Sequence, residues 1–172
     1  TLLAEPGATG LKYGLLTRYV DQPYTYVAVW LIDEWRKIGV QVTQKVVPTG
    51  PFYDALRTGA FEVTMDFNCQ GVVNPLMDIG KFLPRSVYAE NYGGYEDVSI
   101  IELYQSILRE TNATKQRDLI RKFETYALDT EGLMFVTPWW NRIIPHRSYV
   151  KGWKISPSHY LNQDLATVWL DK

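Results

Sequence analysis

The sequence has one cysteine, Cys69, and two histidines, His146 and His159, among its 172 residues. A lone cysteine forms no internal disulfide and supplies no multi-cysteine zinc site, so it fits a cytoplasmic or a periplasmic setting equally. Neither histidine stands in a pattern with a serine, cysteine or carboxylate that would make it a catalytic base. There is no Gly-x-Ser-x-Gly elbow, His-Glu-x-x-His pair, Walker loop or Gly-x-Gly-x-x-Gly turn. No His-x-x-x-His or Cys-x-x-Cys spacing gathers metal ligands. No enzyme, no metal and no cofactor are therefore expected. A surplus of either charge is also missing: eighteen Lys and Arg face nineteen Asp and Glu, for a net charge of −1. That balance argues against nucleic acid, which is held by a basic excess. No run approaches the ~20 apolar residues that span a bilayer. No basic segment followed by an apolar one opens the chain, which starts Thr1-Leu2-Leu3-Ala4-Glu5, and the expectation is a processed or excised piece of something longer.

Aromatic residues are abundant, with twelve Tyr, six Trp and six Phe. Such side chains fill cores, and they also offer large contact area with a polar handle at binding surfaces. The segment Leu11 to Tyr19 reads as a strand. Val27, Leu31, Trp35 and Ile38 fall on one helical face that Gly39 ends. Val40, Val42 and Val46 alternate with polar residues as a strand closed by Pro48. Pro51 opens a short helix with Phe52 and Leu56, closed by Gly59, and Phe61, Val63 and Met65 alternate as a third strand. Residues 68–74 read as a loop, Pro75 to Leu83 as a weak helix, and 91–95 as a loop. Asp97 and Asn112 are placed to cap two helices that pair as a hairpin, one with Ile101, Tyr104 and Leu108 inward, the other with Leu119, Phe123, Tyr126 and Ala127. The cap also accounts for Asn112, although Asn112-Ala113-Thr114 matches a glycosylation sequon. Leu133 to Thr137 reads as a buried strand after Gly132, and Arg142 to Trp153 as an extended stretch broken by Pro145. Strands alternating with helices predict an α/β layer fold, with a central sheet that is mixed and flanked by helices.

Several stretches in order carry a family resemblance. Leu2-Leu3-Ala4-Glu5 with Gly7 and Gly10, then Leu31 through Trp35 to Ile38-Gly39-Val40-Gln41-Val42, are similar to the opening of the second lobe in family 5 extracellular solute-binding proteins, the dipeptide, oligopeptide and nickel receptors. Tyr53-x-x-Leu56-x-x-Gly59-x-Phe61-Glu62-Val63, Asn74-Pro75, Asn91 with Tyr95, Glu96 and Asp97, and Gln116-Arg117 with Leu119 and Phe123 continue the likeness. Gly132 to Trp140, Val150-x-Gly152-Trp153 and Val168-Trp169-Leu170 complete it. The resemblance implies one lobe of a periplasmic-binding-protein-like (type II) fold. It implies a C-terminal solute-binding lobe over residues 1–141 and a tail, 142–172, that returns toward an N-terminal lobe of the same protein. The tail, carrying Ile143, Ile144, Trp153, Leu161, Val168 and Trp169, is expected to fold back or to exchange with a second copy. The implied function is that of the solute-binding component of an ABC importer in the periplasm. Such a receptor traps a peptide-like or other small solute between two lobes and delivers it to a permease in the inner membrane. The alternatives are the ligand-sensing lobe of a regulator and, less favoured, a hydrolase.

Two segments are candidates for solute contact. The loop that follows the third strand carries Asn68 and Gln70, neutral amides suited to hydrogen-bonding a peptide-like or sugar-like solute, and loops at strand ends in open α/β sheets are where ligands bind. In the dipeptide receptors this loop resembles one with an aromatic and an acidic residue, the acid pairing with the ligand's amino group. Here Asn68 and Gly71 stand at those positions. The second segment is Trp139-Trp140-Asn141-Arg142, in which a Trp face can stack on a ring and Arg142 can pair with a carboxylate. The plainer readings are a solvated loop and two core tryptophans.

Overall fold

The computed structural model describes residues 10–66, 74–137, 143–154 and 165–172. The chain forms two compact units, Thr1–Asn68 and Cys69–Lys172.

The first unit is built on β1 (Lys12–Arg18), a wide turn (Asp21–Thr25), α1 (Tyr26–Lys37), β2 (Gln41–Val47), α2 (Thr49–Thr58) and β3 (Val63–Thr64). All three strands are parallel in the order β2-β1-β3, as strands joined through helical crossovers must be. β1 is central, and its consecutive residues Leu15, Leu16 and Thr17 are all buried, the mark of a strand covered on both faces. The one polar group among them is satisfied, because Gln44 Nε2 donates to Thr17 Oγ1 at 3.0 Å. α1 buries Val27, Ala28 and Leu31. α2 buries Phe52 and Leu56 and ends at Gly59, whose φ of 73° few residues other than glycine adopt.

Two sequence expectations change here. Val46 is 44% exposed rather than buried, because β2 is an edge strand and cover fails along it. β3 pairs over two residues rather than five. Just before it, the Glu62 side chain accepts the Gly14 N–H at 2.6 Å, so a carboxylate takes the place of a ladder carbonyl at that edge.

In the second unit Asn74 caps α3 (Pro75–Ile79), accepting from Leu76 N at 3.0 Å, and a tight turn, Gly80–Phe82, follows. Asp97 caps α4 (Val98–Arg109) through Ser99 N at 2.7 Å. Asn112 caps α5 (Ala113–Glu124) through the N–H groups of Thr114 and Lys115. α5 continues into a wider turn, Thr125–Thr130. The helices close over Ile79, Phe82, Leu83, Ile100, Ile107, Phe123 and Ala127. The inward face of α4 is set by Ile100 and Ile107, not by Ile101 and Leu108; Leu108 is 55% exposed. Two apolar stripes one residue apart run along this helix, and packing against Phe123 selects between them.

Residues 132–137 form no strand, and Met134, Phe135 and Val136 are exposed. The expected buried strand at Leu133 to Thr137 is therefore absent: among the described residues, no neighbouring strand pairs with it to form a ladder. β4 (Val150–Lys151) and β5 (Trp169–Leu170) pair antiparallel, so the two described ends of the tail meet each other. The expected boundary at 141/142 lies outside the described residues. The α/β class stands, with parallel pairing in the first unit and antiparallel pairing in the second.

Candidate functional site

All six residues singled out in the sequence, Asn68, Gln70, Trp139, Trp140, Asn141 and Arg142, lie outside the described residues. The described chain shows what stands beside the first two. Asp66, two residues before Asn68, ends the run out of β3 and is exposed.

At the carboxyl ends of the three parallel strands the first unit gathers a charged and aromatic group. Arg18 is the last residue of β1, directly after the buried Thr17. Its guanidinium carbon lies 4.7 Å from the centre of the Tyr24 ring and 5.7 Å from that of Tyr53, within the range of cation–π attraction. Arg18 Nη1 also donates to the Tyr53 hydroxyl at 3.4 Å. Tyr24 sits in the wide turn that leads into α1 and is fully buried. Its hydroxyl donates to Asp66 Oδ1 at 2.9 Å. Phe52 supports the group from below, edge-on to Tyr24 at 5.7 Å and to Tyr53 at 5.2 Å.

Burial, then the charge of Asp66 and the hydrogen bond to it, push the Tyr24 hydroxyl far above its usual range. Tyr24 therefore stays protonated and acts as a fixed donor. The arrangement offers one cation, one exposed carboxylate and aromatic edges on a rigid frame, which suits binding a small polar solute. Open α/β sheets take ligands at this end of their strands. A depression of about 350 Å³ lies elsewhere, lined by Gly14 and Leu16 midway along β1, Lys45 of β2 and Ala60, Phe61 and Glu62 before β3.

Sequence reading passed over Arg18, Tyr24, Tyr53 and Asp66. The available signal was positional: Arg18 follows the apolar Leu15-Leu16 and Thr17, and Asp66 follows Val63-Thr64-Met65, so each is a charge set at the exit of a strand. Among the described residues there is no group of three or more His, Cys, Asp or Glu able to hold a metal, and no helix long and apolar enough to cross a membrane.

No protein-family model and no curated protein matches the sequence. Solved structures do. The periplasmic binding protein DppA from Helicobacter pylori, in complex with the peptide STSA, superposes with a TM-score of 0.74 at 19% identity, over 99% of this chain and 33% of its own. A peptide ABC transporter peptide-binding protein gives 0.62 at 18% identity, over 72% of this chain and 55% of its own. The Escherichia coli murein tripeptide binding protein MppA gives 0.65 at 16%, over 71% and 24%. The fold is that of periplasmic binding proteins. The chain spans between about a quarter and just over half the length of these three binding proteins.

Proposed function

We propose that this chain is the solute-binding component of an ABC importer, taking up a peptide-like or other small solute in the periplasm and handing it to an inner-membrane permease. The observation that carries the reading is the Arg18, Tyr24, Tyr53 and Asp66 group at the carboxyl ends of the parallel strands. It is supported by a fold shared with structures named as peptide-binding receptors. In this reading residues 1–141 form one wall of a cleft, a second lobe forms the other, and 142–172 return toward that second lobe. The cleft closes by hinging, which removes the solute from water. Asn68 and Gln70 follow Asp66 closely in sequence and supply amide donors and acceptors for a peptide backbone. Trp139 and Trp140 supply stacking surface, while Asn141 and Arg142 meet polar or anionic groups of the solute.

Native mass spectrometry of the protein purified from its source organism tests the reading, followed by calorimetry against a library of two- to five-residue peptides. The expected result is a retained small solute and saturable binding of library members. A protein that carries no solute and gives no heat with any member does not have this function.

A further inference from the structure

Tyr24 touches members of the group that come from three different connections. Its ring face carries Arg18 from the end of β1, its edge meets Phe52 of α2, and its hydroxyl reaches Asp66 beyond β3. A phenylalanine would fill the same buried volume without taking a hydroxyl out of water. The hydroxyl's partner is an exposed carboxylate, which water can solvate in place of the hydroxyl, so the net loss to folding is about that of one ordinary hydrogen bond. What the bond does fix is direction: it anchors a surface carboxylate from beneath, on a side chain that cannot itself move.

From this, and resting on the solute-binding reading above, we infer that Tyr24 is a positioning residue that aims Asp66 at an N–H donor of the solute. Tyr24 itself makes no solute contact. A carboxylate accepts several hydrogen bonds across its two oxygens, so the Tyr24 bond and a solute bond coexist on Asp66. Pre-aiming it removes the cost of ordering the side chain when solute arrives.

The test is calorimetry on the protein purified from its source organism, with both walls of the cleft present, and on its Tyr24→Phe, Asp66→Asn and doubly substituted variants, with the tightest-binding peptide of the library as probe and Ser-Thr-Ser-Ala as its first member. Tyr24→Phe is expected to weaken binding by about tenfold, the scale of ordering one side chain that the parent holds ready, with a melting temperature within about 3 °C of the parent. Asp66→Asn weakens binding at least as much. In the Asp66→Asn background the Tyr24→Phe change has no further effect, because the residue acts through the carboxylate. Unchanged affinity in Tyr24→Phe, or losses that multiply in the double variant, overturn the positioning role and leave the solute-binding reading standing. A parent protein with both walls of the cleft present that binds no member of the library overturns both.

Discussion

The two units use polar side chains in opposite ways. In the second, nearly every described polar contact closes a backbone: Asn74, Asp97 and Asn112 cap helices, and the buried Asn91 donates to the carbonyls of Leu83 and Tyr95 while accepting from Tyr95 N. Arg85 adds bonds to the carbonyls of Asn91 and Tyr92, and the Tyr95 hydroxyl donates to the Leu133 carbonyl. In the first unit no side-chain hydrogen bond caps a described helix. Four of its side chains, Arg18, Tyr24, Tyr53 and Asp66, converge instead on one another at the strand ends. Side chains committed to backbone groups specify a shape, whereas side chains that meet at an open sheet edge are available for recognition. This contrast points to the first unit for the part of the proposed site that centres on Arg18 and Asp66.

The largest effects that sharpen the contrast are in the two cores. Phe123 and Phe52 are both fully buried, and truncating either to alanine is expected to cost about 3–5 kcal/mol. Urea titration monitored separately in the two units, through probes on α1 and on α4, should show each substitution destabilising its own unit more. Equal loss in both units for both variants would mean that they fold as one cooperative body, and the contrast would then be one of surface alone.

Next in size is Asn91→Ala. It removes three hydrogen bonds and leaves the Leu83 and Tyr95 carbonyls and the Tyr95 N–H without that partner, a loss of roughly 2–3 kcal/mol. Peptide affinity at temperatures where the variant is folded should not change. An altered dissociation constant would draw the second unit's loop into recognition.

Arg18→Met is the converse case. Arg18 stacks on Tyr24 and reaches Tyr53, so its loss should lower stability by only about 0.5–1 kcal/mol while weakening peptide binding roughly tenfold. A variant that loses stability alone would make Arg18 a structural clamp.

The sequence shows this division only in part. Helix positions were legible because caps and glycines are local signals: Asn112, Asp97, Gly39 and Gly59 mark ends that the chain does adopt. The inward face of α4 was not legible, since Ile100 and Ile101 differ only in which one meets Phe123, and that is decided by tertiary packing. The strand expected at Leu133 to Thr137 failed for a related reason. Its run of apolar residues states a preference for burial, but a strand also needs a neighbour to pair with. The Arg18–Tyr24–Asp66–Tyr53 group was invisible because its members are separated by up to 48 positions along the chain and meet only when parallel strands bring their carboxyl ends together. The amides Asn68 and Gln70 are legible as polar residues in a loop that follows a strand, while the tie between the neighbouring Asp66 and the buried Tyr24 is set by the fold.

The smallest expected effect isolates one polar contact of the second unit by pH. Asp97 accepts from Ser99 N through Oδ1 and from the Tyr126 hydroxyl through Oδ2. The Tyr126 hydrogen bond, helped by the backbone N–H groups at the start of α4, holds its carboxyl below the usual carboxylate range against the opposing effect of burial. A depressed folded value means that the unfolded chain takes up the proton first as acid is added. The stabilisation is therefore complete above the unfolded value of about 4 and fades as pH falls below it, through the lower folded value. Because the contact is largely open to water, its size is less than about 1 kcal/mol. Asp97→Asn keeps an oxygen to cap α4, as Asn112 does for α5, but places an NH₂ group where Oδ2 met Tyr126. Unfolding free energies of parent and variant, measured by urea titration between pH 2 and 7, should differ by a constant amount above about pH 5 and converge toward pH 2. A gap that stays flat down to pH 2 would show that Asp97 works only as a neutral cap, with its charge and its tie to Tyr126 contributing nothing.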